Sequence, residues 1–167
     1  NRFGESLKPG EERICYDPMA VYFIDKKLME WATHNPDKVI AMRDENERIN
    51  PGFVNSIIAR VRYFDDFTKM SLESGIEQLV ILGAGYDTRA YRIEGLKRIR
   101  TFEVDHPSTQ DIKKTKLKNL FGALPSNVVY ISADLISEDI FQKLMGKGYD
   151  PFKKTLFLME GLLSYLP

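Results

Sequence analysis

The sequence is poor in cysteine and histidine, and it has no excess charge of either sign. Its 167 residues include one cysteine and two histidines, and 24 Lys and Arg balance 24 Asp and Glu. One cysteine excludes an intrachain disulfide, and no Cys/His cluster is available for a structural zinc ion. A general nucleic-acid-binding protein carries a basic excess, so the neutral balance argues against a nucleic-acid partner. We expect no metal site.

Long apolar runs are also absent. No stretch approaches the roughly 20 apolar residues of a membrane-spanning helix, and the polar first residues do not resemble a signal peptide. We therefore expect a cytoplasmic protein with no membrane partner. A chain of this length buries about two-thirds of its unfolded surface, which is enough for one globular domain without a disulfide or a metal ion.

The first part of the chain is predicted to be helical. Asp17 precedes a proline and suits a helix start, and Pro36 disfavours continuation of that helix. A polar segment, 43–50, then leads into a second helix that begins at Pro51 and ends before Gly75, with apolar residues at intervals of three and four. The lone cysteine, near the start of the chain, is expected to be exposed.

From residue 78 onward, the pattern predicts strands alternating with helices. Short apolar runs of the kind found in parallel strands buried on both faces occupy 79–82, 101–105, 128–131 and 155–159. Helices are predicted from about residue 87 and over 107–121 and 137–145. This alternation indicates an α/β fold with a Rossmann-like parallel sheet.

The second of these helices, 107–121, is rich in lysine. Its lysines are predicted to form a solvated face, and they lie at Lys113, Lys114, Lys116 and Lys118. The apolar face is predicted to consist of Ile112, Leu117, Leu120 and Phe121.

A glycine-rich turn follows the first strand and offers the strongest sign of a ligand. Gly83 and Gly85 allow a sharp turn and a close approach of the backbone to a ligand. Asp105 ends the second strand about 20 positions later, the spacing expected of a carboxylate that binds ribose hydroxyls. The two features together indicate a nucleoside-type ligand. A turn glycine followed by a solvated aspartate is the alternative.

The residues after the turn distinguish between nucleoside cofactors. A dinucleotide fingerprint has a third glycine where this chain has Thr88, and no Gly-Lys-Ser/Thr of a phosphate-binding loop follows. Asp87 would repel a pyrophosphate but attract a cation. S-adenosyl-L-methionine, which has an ammonium and a sulfonium and no phosphate, fits better. A nucleotide-binding or NAD-type dinucleotide-binding module without methyltransferase activity stays the alternative.

Four motifs occur in order along this part of the chain: LGAGYDTRAYR, FEVDHP, ISADL and FLMEGLLSYLP. With ARVRYFDDF upstream, they resemble the leucine carboxyl methyltransferase family of S-adenosylmethionine-dependent enzymes over about residues 51–167. The resemblance implies a class I methyltransferase sheet of seven strands, whose last strands this chain lacks. It also implies an N-terminal helical cap region, 1–75, and the first half of the cofactor-binding domain, 76–167.

The resemblance also implies which residues bind the cofactor. Arg60, or its neighbour Arg62, matches an arginine that pairs with the methionine carboxylate, which suits a guanidinium fork. The backbone of Gly83, Ala84 and Gly85 would pass under the methionine part.

Further acidic positions complete the implied cofactor site. Asp105 would bond the ribose hydroxyls, and Asp134 with Leu135 would read the adenine edge. Asp87 and Glu160 would face the cationic end of the cofactor. The acceptor is expected to be a carboxylate or hydroxyl of a small molecule, or a protein carboxylate, and no catalytic residue is predicted.

Plainer roles stay open for several of these side chains. Asp134 could cap the following helix, Asp87 could cap the helix after the glycine turn, and Glu160 could be solvated. If Glu160 is partly buried, its carboxylate needs a partner, which a cationic ligand would supply. His106 invites a general-base role, but a loop-facing residue is the simpler interpretation.

Overall fold

The computed structural model describes residues 2–165 and contains two compact units, the first ending at Asp66 and the second beginning at Phe67. The first unit is helical. Its α-helices are α1 (Arg2–Ser6), α2 (Lys26–His34), α3 (Pro36–Ile49) and α4 (Phe53–Glu73), the last of which continues into the second unit. The domain boundary predicted after residue 75 stays a prediction.

The start of the first long helix differs from the prediction. Asp17 is fully buried and forms an ion pair with Arg2 at 3.1 Å, and no α-helix begins at this position. After a short 3-10 turn, Ala20–Phe23, helix α2 begins behind Asp25. One carboxylate oxygen of Asp25 accepts the N–H groups of residues 27 and 28, at 2.8 and 3.1 Å. The cap is therefore an aspartate without a following proline.

The polar segment 43–50 is helical as far as Ile49, and its prediction as a break between helices is wrong. Helix α3 continues to Ile49 with no buried residue along its length. Its side chains stabilise it locally, since Arg48 pairs with Glu45 at 2.7 Å one turn away. An exposed helix of this kind has no apolar stripe, so hydrophobic periodicity in the sequence does not predict it.

Cys15 is buried, contrary to the predicted exposure. Its side chain is 3% exposed and packs with Ile58 and Val61 of helix α4. The polar residues around it in sequence hid this contact, because the apolar partners lie more than 40 positions away.

The second unit is built on a four-stranded parallel sheet, which confirms the predicted α/β fold. The strands are β1 (Gln78–Leu82), β2 (Arg100–Asp105), β3 (Val128–Ser132) and β4 (Thr155–Leu158), in the order β3-β2-β1-β4. The connecting helices are α5 (Arg89–Arg92), α6 (Pro107–Phe121) and α7 (Ile140–Gly146). Helix α7 starts later than predicted because Asp139 caps it, accepting the N–H of Gln142 at 2.9 Å.

One face of the sheet carries the main apolar core of this unit. Phe102 and Val104 of β2 pack there with Val80 of β1 and with Leu144 of α7. Tyr149 closes the cluster edge-to-face on Phe102, with ring centroids 5.9 Å apart. The core thus lies between the sheet and α7.

A glutamine side chain fastens the outer strand β4 to β1. The amide of Gln78 donates to the backbone oxygen of Asp150 at 2.7 Å and to the Thr155 hydroxyl at 3.1 Å. Its carbonyl oxygen accepts the N–H of Asp150 at 3.0 Å. These bonds join the starts of two strands that are far apart in sequence.

The other face of β2 holds a buried ion pair, and the predicted solvated lysine face of α6 is wrong at Lys113. The Nζ atom of Lys113 lies 2.7 Å from Glu103, and the Tyr91 hydroxyl donates to the same carboxylate at 2.7 Å. Lys113 and Leu117 face inward, whereas Ile112 is exposed. The buried glutamate explains this register, because it requires a cation.

Within residues 2–165, no helix is long and apolar enough to span a bilayer.

Candidate functional site

The turn after β1 requires glycine at two positions. Gly83 has φ +64° and Gly85 has φ +45°, both in the left-handed region that glycine adopts readily. A Cβ atom on Gly83 would lie 2.8 Å from a methyl carbon of Leu162. Between the glycines, buried Ala84 donates its N–H to the backbone oxygen of Val104 at 3.1 Å. The turn is therefore held against the end of β2.

The carboxylate of Asp105 binds this turn directly. One of its oxygens accepts the N–H of Gly85, and the other accepts the N–H of His106 at 2.6 Å. A carboxylate has about four lone-pair sites, so each oxygen can accept a further hydrogen bond. The structure thus brings the glycine turn and the strand-end acid together at the carboxyl edge of the sheet, where open α/β sheets bind ligands.

Asp134 lies at the same edge, beyond β3. The N–H of Ala133 donates to the backbone oxygen of Asp105 at 2.9 Å, which places this segment beside the end of β2. The Asp134 carboxylate accepts the N–H of Ile136 at 2.9 Å and the hydroxyl of Ser137 at 2.8 Å. These two bonds hold the pKa of the Asp134 carboxyl below its ordinary value. Asp134 closes a tight turn here, and the cap of α7 is a different aspartate.

Leu135, the predicted partner of Asp134, is partly buried. Its side chain packs against the apolar core between the sheet and α7. Its side chain thus anchors the segment after β3 to the core, while its predicted role in reading adenine stays a prediction.

Two acidic residues meet on one arginine between β1 and β4. The Arg89 guanidinium, 3% exposed, lies 2.5 Å from Asp87 and 2.7 Å from Glu160. Glu160 follows β4, so this ion triplet, Asp87–Arg89–Glu160, joins the ends of two neighbouring strands. The partner that a partly buried Glu160 requires is present within the chain itself.

Asp87 is ionised within this triplet. Burial raises the pKa of its carboxyl, but the charges of Arg89, Lys113 and Arg92 and the N–H of Arg89 outweigh burial and leave that pKa below its ordinary value. The Arg89 N–H donates to Asp87 at 2.7 Å, so the aspartate also stabilises the first turn of α5. Asp87 is thus paired with Arg89, although the N-cap of α5 is Thr88, and its predicted contact with the cofactor stays a prediction.

The predicted arginines lie on α4. Arg60 is exposed and belongs to the first unit. Arg62, the alternative, forms an ion pair with Asp66 at 2.5 Å and donates to the backbone oxygen of Ile14 at 3.3 Å. Their contact with a cofactor stays a prediction.

His106 is exposed and sits at the N-terminus of α6. Its Nδ1 accepts the N–H of Ser108 at 3.4 Å and lies 2.8 Å from the hydroxyl of the same serine. The histidine is therefore loop-facing, as the simpler interpretation expected, and its ring also caps α6, which was not predicted. Over the described range 2–165, no group of His, Cys, Asp and Glu is arranged to hold a metal ion.

The sequence interpretation missed Arg89 and the buried pair of Glu103 and Lys113. A signal existed for Arg89, since an arginine two positions after an aspartate in a glycine-rich turn has a carboxylate within reach. A glutamate between Phe102 and Val104, inside a strand buried on both faces, likewise called for an internal cation.

Comparisons with known proteins agree with one another. The leucine carboxyl methyltransferase family profile matches residues 1–167. A protein of Mycobacteroides abscessus is 37% identical over 164 residues, which cover 98% of this chain and 53% of that relative. One of Mycolicibacterium paratuberculosis is 38% identical over 133 residues, covering 80% of this chain and 42% of the relative. Each is named "Putative S-adenosyl-L-methionine-dependent methyltransferase". The chain spans about half the length of the curated relatives it matches.

Proposed function

The chain belongs to the leucine carboxyl methyltransferase family, and we propose that it binds S-adenosyl-L-methionine for methyl transfer. The proposed acceptor is an oxygen atom, in a carboxylate or hydroxyl of a small molecule or in a protein carboxylate. The observation that carries the proposal is the bond from the Gly85 N–H to Asp105. This bond holds the glycine turn, which has no large side chains, next to a carboxylate at the carboxyl edge of the sheet. A carboxylate there is suited to accept ribose hydroxyls.

The residues at this edge fit a nucleoside that carries no phosphate. Asp105 ends β2, Asp87 and Asp134 follow β1 and β3, and carboxylates at these positions would repel a pyrophosphate. Hydroxyl and amino groups, in contrast, donate to carboxylates. The chemistry of this donor set favours S-adenosyl-L-methionine over NAD.

Each residue has a proposed part in binding. The backbone of Gly83, Ala84 and Gly85 would pass under the methionine part of the ligand, and Asp105 would accept the ribose hydroxyls. Asp134 and Leu135 would border the adenine.

Two further residues are proposed for the methionine end. Glu160 and its triplet would lie on that side of the site, and Arg60 is assigned to the methionine carboxylate on the family resemblance alone. When bound, the cofactor supplies an activated methyl group on its sulfonium. The chain supplies binding and orientation, and a carboxylate acceptor would need no general base from it.

Calorimetry tests the cofactor assignment. We expect the chain to bind S-adenosyl-L-methionine and S-adenosylhomocysteine but not NAD. Asp105→Asn would weaken binding about tenfold or more, because a charged acceptor for the ribose hydroxyls is lost. Asp111→Asn is the matched control, since Asp111 is exposed on α6 and pairs only with its neighbour Lys114 in a helix-surface ion pair. Binding of NAD alone would establish the dinucleotide module instead.

A methyl-transfer screen tests the acceptor. Carboxylic acids and hydroxyl compounds would be incubated with the chain and a cofactor labelled in its methyl group, and the label would be followed into product. Transfer to an oxygen acceptor supports the proposed reaction. Cofactor binding together with transfer only to nitrogen acceptors would contradict oxygen methylation while leaving the cofactor assignment standing.

A further inference from the structure

The ion triplet, Asp87–Arg89–Glu160, sits at the point where the chain reverses direction across the sheet. From β1 the chain builds outward through β2 to β3, and it then returns to place β4 on the other side of β1. Ligands of open α/β sheets bind at such a reversal, outside the carboxyl ends of the strands. The triplet joins β1 to β4 at that point.

The strand order gives the site a direction. Asp105 ends β2 and Asp134 follows β3, so the nucleoside would lie on that side of the glycine turn. The remainder of the cofactor must then extend the other way, over the turn and toward the end of β4. Arg89 is the buried cation on this second side, between two carboxylates.

Arg89 is held from several directions. Its side chain is 3% exposed, and its N–H donates to Asp87 at 2.7 Å. The Asp87 N–H in turn donates to the backbone oxygen of Ala84 at 2.8 Å, inside the glycine turn. Two positions further along α5, the Tyr91 hydroxyl is bonded to buried Glu103. A displacement of Arg89 would therefore move the turn and the end of β4 together.

Without the guanidinium, the triplet would be unstable as it stands. Two partly buried carboxylates would face one another without their shared counter-charge, and such a pair retains a proton or moves apart. A lysine would keep the charge but not the fork that reaches both carboxylates.

We propose that Arg89 is a positioning residue for the methionine end of the cofactor, acting through Glu160 and the glycine turn. This inference rests on the proposed function, because it presupposes that the bound ligand is S-adenosyl-L-methionine. Arg89 itself need not touch the ligand. It fixes the distance between the end of β4 and the turn after β1, and so the width of the place where the amino-acid part of the ligand would lie.

The test compares ligands that share the nucleoside but differ in the methionine part. Affinities for S-adenosyl-L-methionine, S-adenosylhomocysteine and adenosine would be measured by calorimetry on the chain and on Arg89→Gln, Arg89→Lys, Glu160→Gln and the double variant Arg89→Gln/Glu160→Gln. Lys97→Gln is the matched control, because it removes a cation from an exposed ion pair with Glu94 in the same unit.

We expect Arg89→Gln and Glu160→Gln each to weaken binding of the two methionine-bearing ligands about tenfold. Adenosine affinity should be unchanged, since adenosine lacks the part that the triplet positions. The double variant should lose much less than the two single losses combined, because both changes break one link. Arg89→Lys should recover part of the loss, and Lys97→Gln should bind as the unchanged chain does.

The outcomes separate the two proposals. If the unchanged chain binds none of the three ligands, the cofactor assignment is overturned and the role of Arg89 falls with it. If the chain binds S-adenosyl-L-methionine and Arg89→Gln binds it equally well, only the role of Arg89 is overturned. Equal weakening of adenosine would show that Arg89 supports the fold of the whole site instead. Should Arg89→Gln fail to fold, Glu160→Gln and Arg89→Lys give the same comparison.

Discussion

The Nζ atom of Lys113 lies 2.7 Å from the Oε2 atom of Glu103, and each side chain is only 1% exposed. This pair ties α6 to β2 in the interior of the second unit, with the Tyr91 hydroxyl on the same carboxylate. Burial raises the pKa of the Glu103 carboxyl, although Lys113 and Tyr91 oppose that shift. The lysine and the tyrosine hydroxyl therefore offset part of the cost of burying the glutamate, while burial remains the larger effect on its pKa.

Removing only one charge of the Glu103–Lys113 pair should strongly destabilise the fold. We expect Lys113→Met to lower the free energy of unfolding by about 3–5 kcal/mol, because it leaves a buried carboxylate without its counter-charge. The double variant Glu103→Gln/Lys113→Met should regain most of that loss, since neither charge remains. Urea unfolding measures both. A loss below about 1 kcal/mol in the single variant would contradict the buried pair.

The pH dependence of Lys113→Met gives a second check on the same pair. Without the lysine, burial should raise the pKa of Glu103 further. Near neutral pH the folded variant would then hold a proton on Glu103 that is released when the chain unfolds. Stability should then rise as the pH falls from 7 toward 5. Urea midpoints across that range would show it, and a midpoint independent of pH would count against a buried carboxylate.

Asp87 should contribute to the free energy of unfolding, and this contribution should be lost at acidic pH. Its folded pKa lies below the ordinary value, so its contribution is present above about pH 4 and is lost as the pH falls through the folded pKa. We expect Asp87→Asn to cost about 1.5–3 kcal/mol at pH 6 and clearly less at pH 3. Urea unfolding at both pH values measures this, with exposed Asp111→Asn as the control that changes little. An equal cost at both would contradict the assignment.

Alanine substitutions at Gly122 and Gly83 distinguish the cost of backbone strain from the cost of a steric clash. Gly122 has φ +78° with no atom within 4 Å of an added Cβ, so Gly122→Ala should cost about 1–2 kcal/mol from conformation alone. Gly83→Ala also forces alanine into a left-handed backbone conformation, and its Cβ atom would lie 2.8 Å from Leu162. It should therefore lower the free energy of unfolding more than Gly122→Ala does. Adding Leu162→Ala to Gly83→Ala should recover the difference, as measured by thermal unfolding. Equal costs for the two glycines would mean that Leu162 moves aside freely.

The cap of α2 can be tested in the first unit. Asp25→Ala should destabilise the helix by about 1 kcal/mol, because the N–H groups of Lys27 and Leu28 lose their acceptor. Hydrogen exchange at those two amides should accelerate about fivefold for that loss. Glu30→Ala, on the exposed middle of the same helix, is the control. Unchanged exchange after Asp25→Ala would show that water replaces the cap without cost.

The strands could be predicted to within about one residue because burial on both faces imposes an unbroken apolar run. The run before Gly83 and the Lys-rich stretch after Pro107 became β1 and α6 with bounds close to those expected. The approach of Asp105 to the glycine turn also followed, because the carboxyl ends of neighbouring parallel strands meet at one edge.

What escaped prediction depends on partners distant in sequence or on local competition between caps. Lys113 faces inward because Glu103 requires it, and a helical wheel of α6 alone does not contain that information. Cys15, which lies outside the helices, is buried by Ile58 and Val61 of α4. Asp17 pairs with Arg2 and Asp25 caps α2, and local preference does not distinguish these two aspartates.

The position of β1 between β2 and β4 has a consequence for synthesis of the chain. On the ribosome, which adds about 5–20 residues per second, β1, β2 and β3 emerge before β4. One edge of β1 therefore waits with unpaired backbone groups, a template for mispairing, until a strand more than 70 positions later arrives. The hydrogen bonds of Gln78 to Asp150 and Thr155 mark the site where the late strand docks. Nascent chains halted before β4 should accordingly be the form most in need of a chaperone.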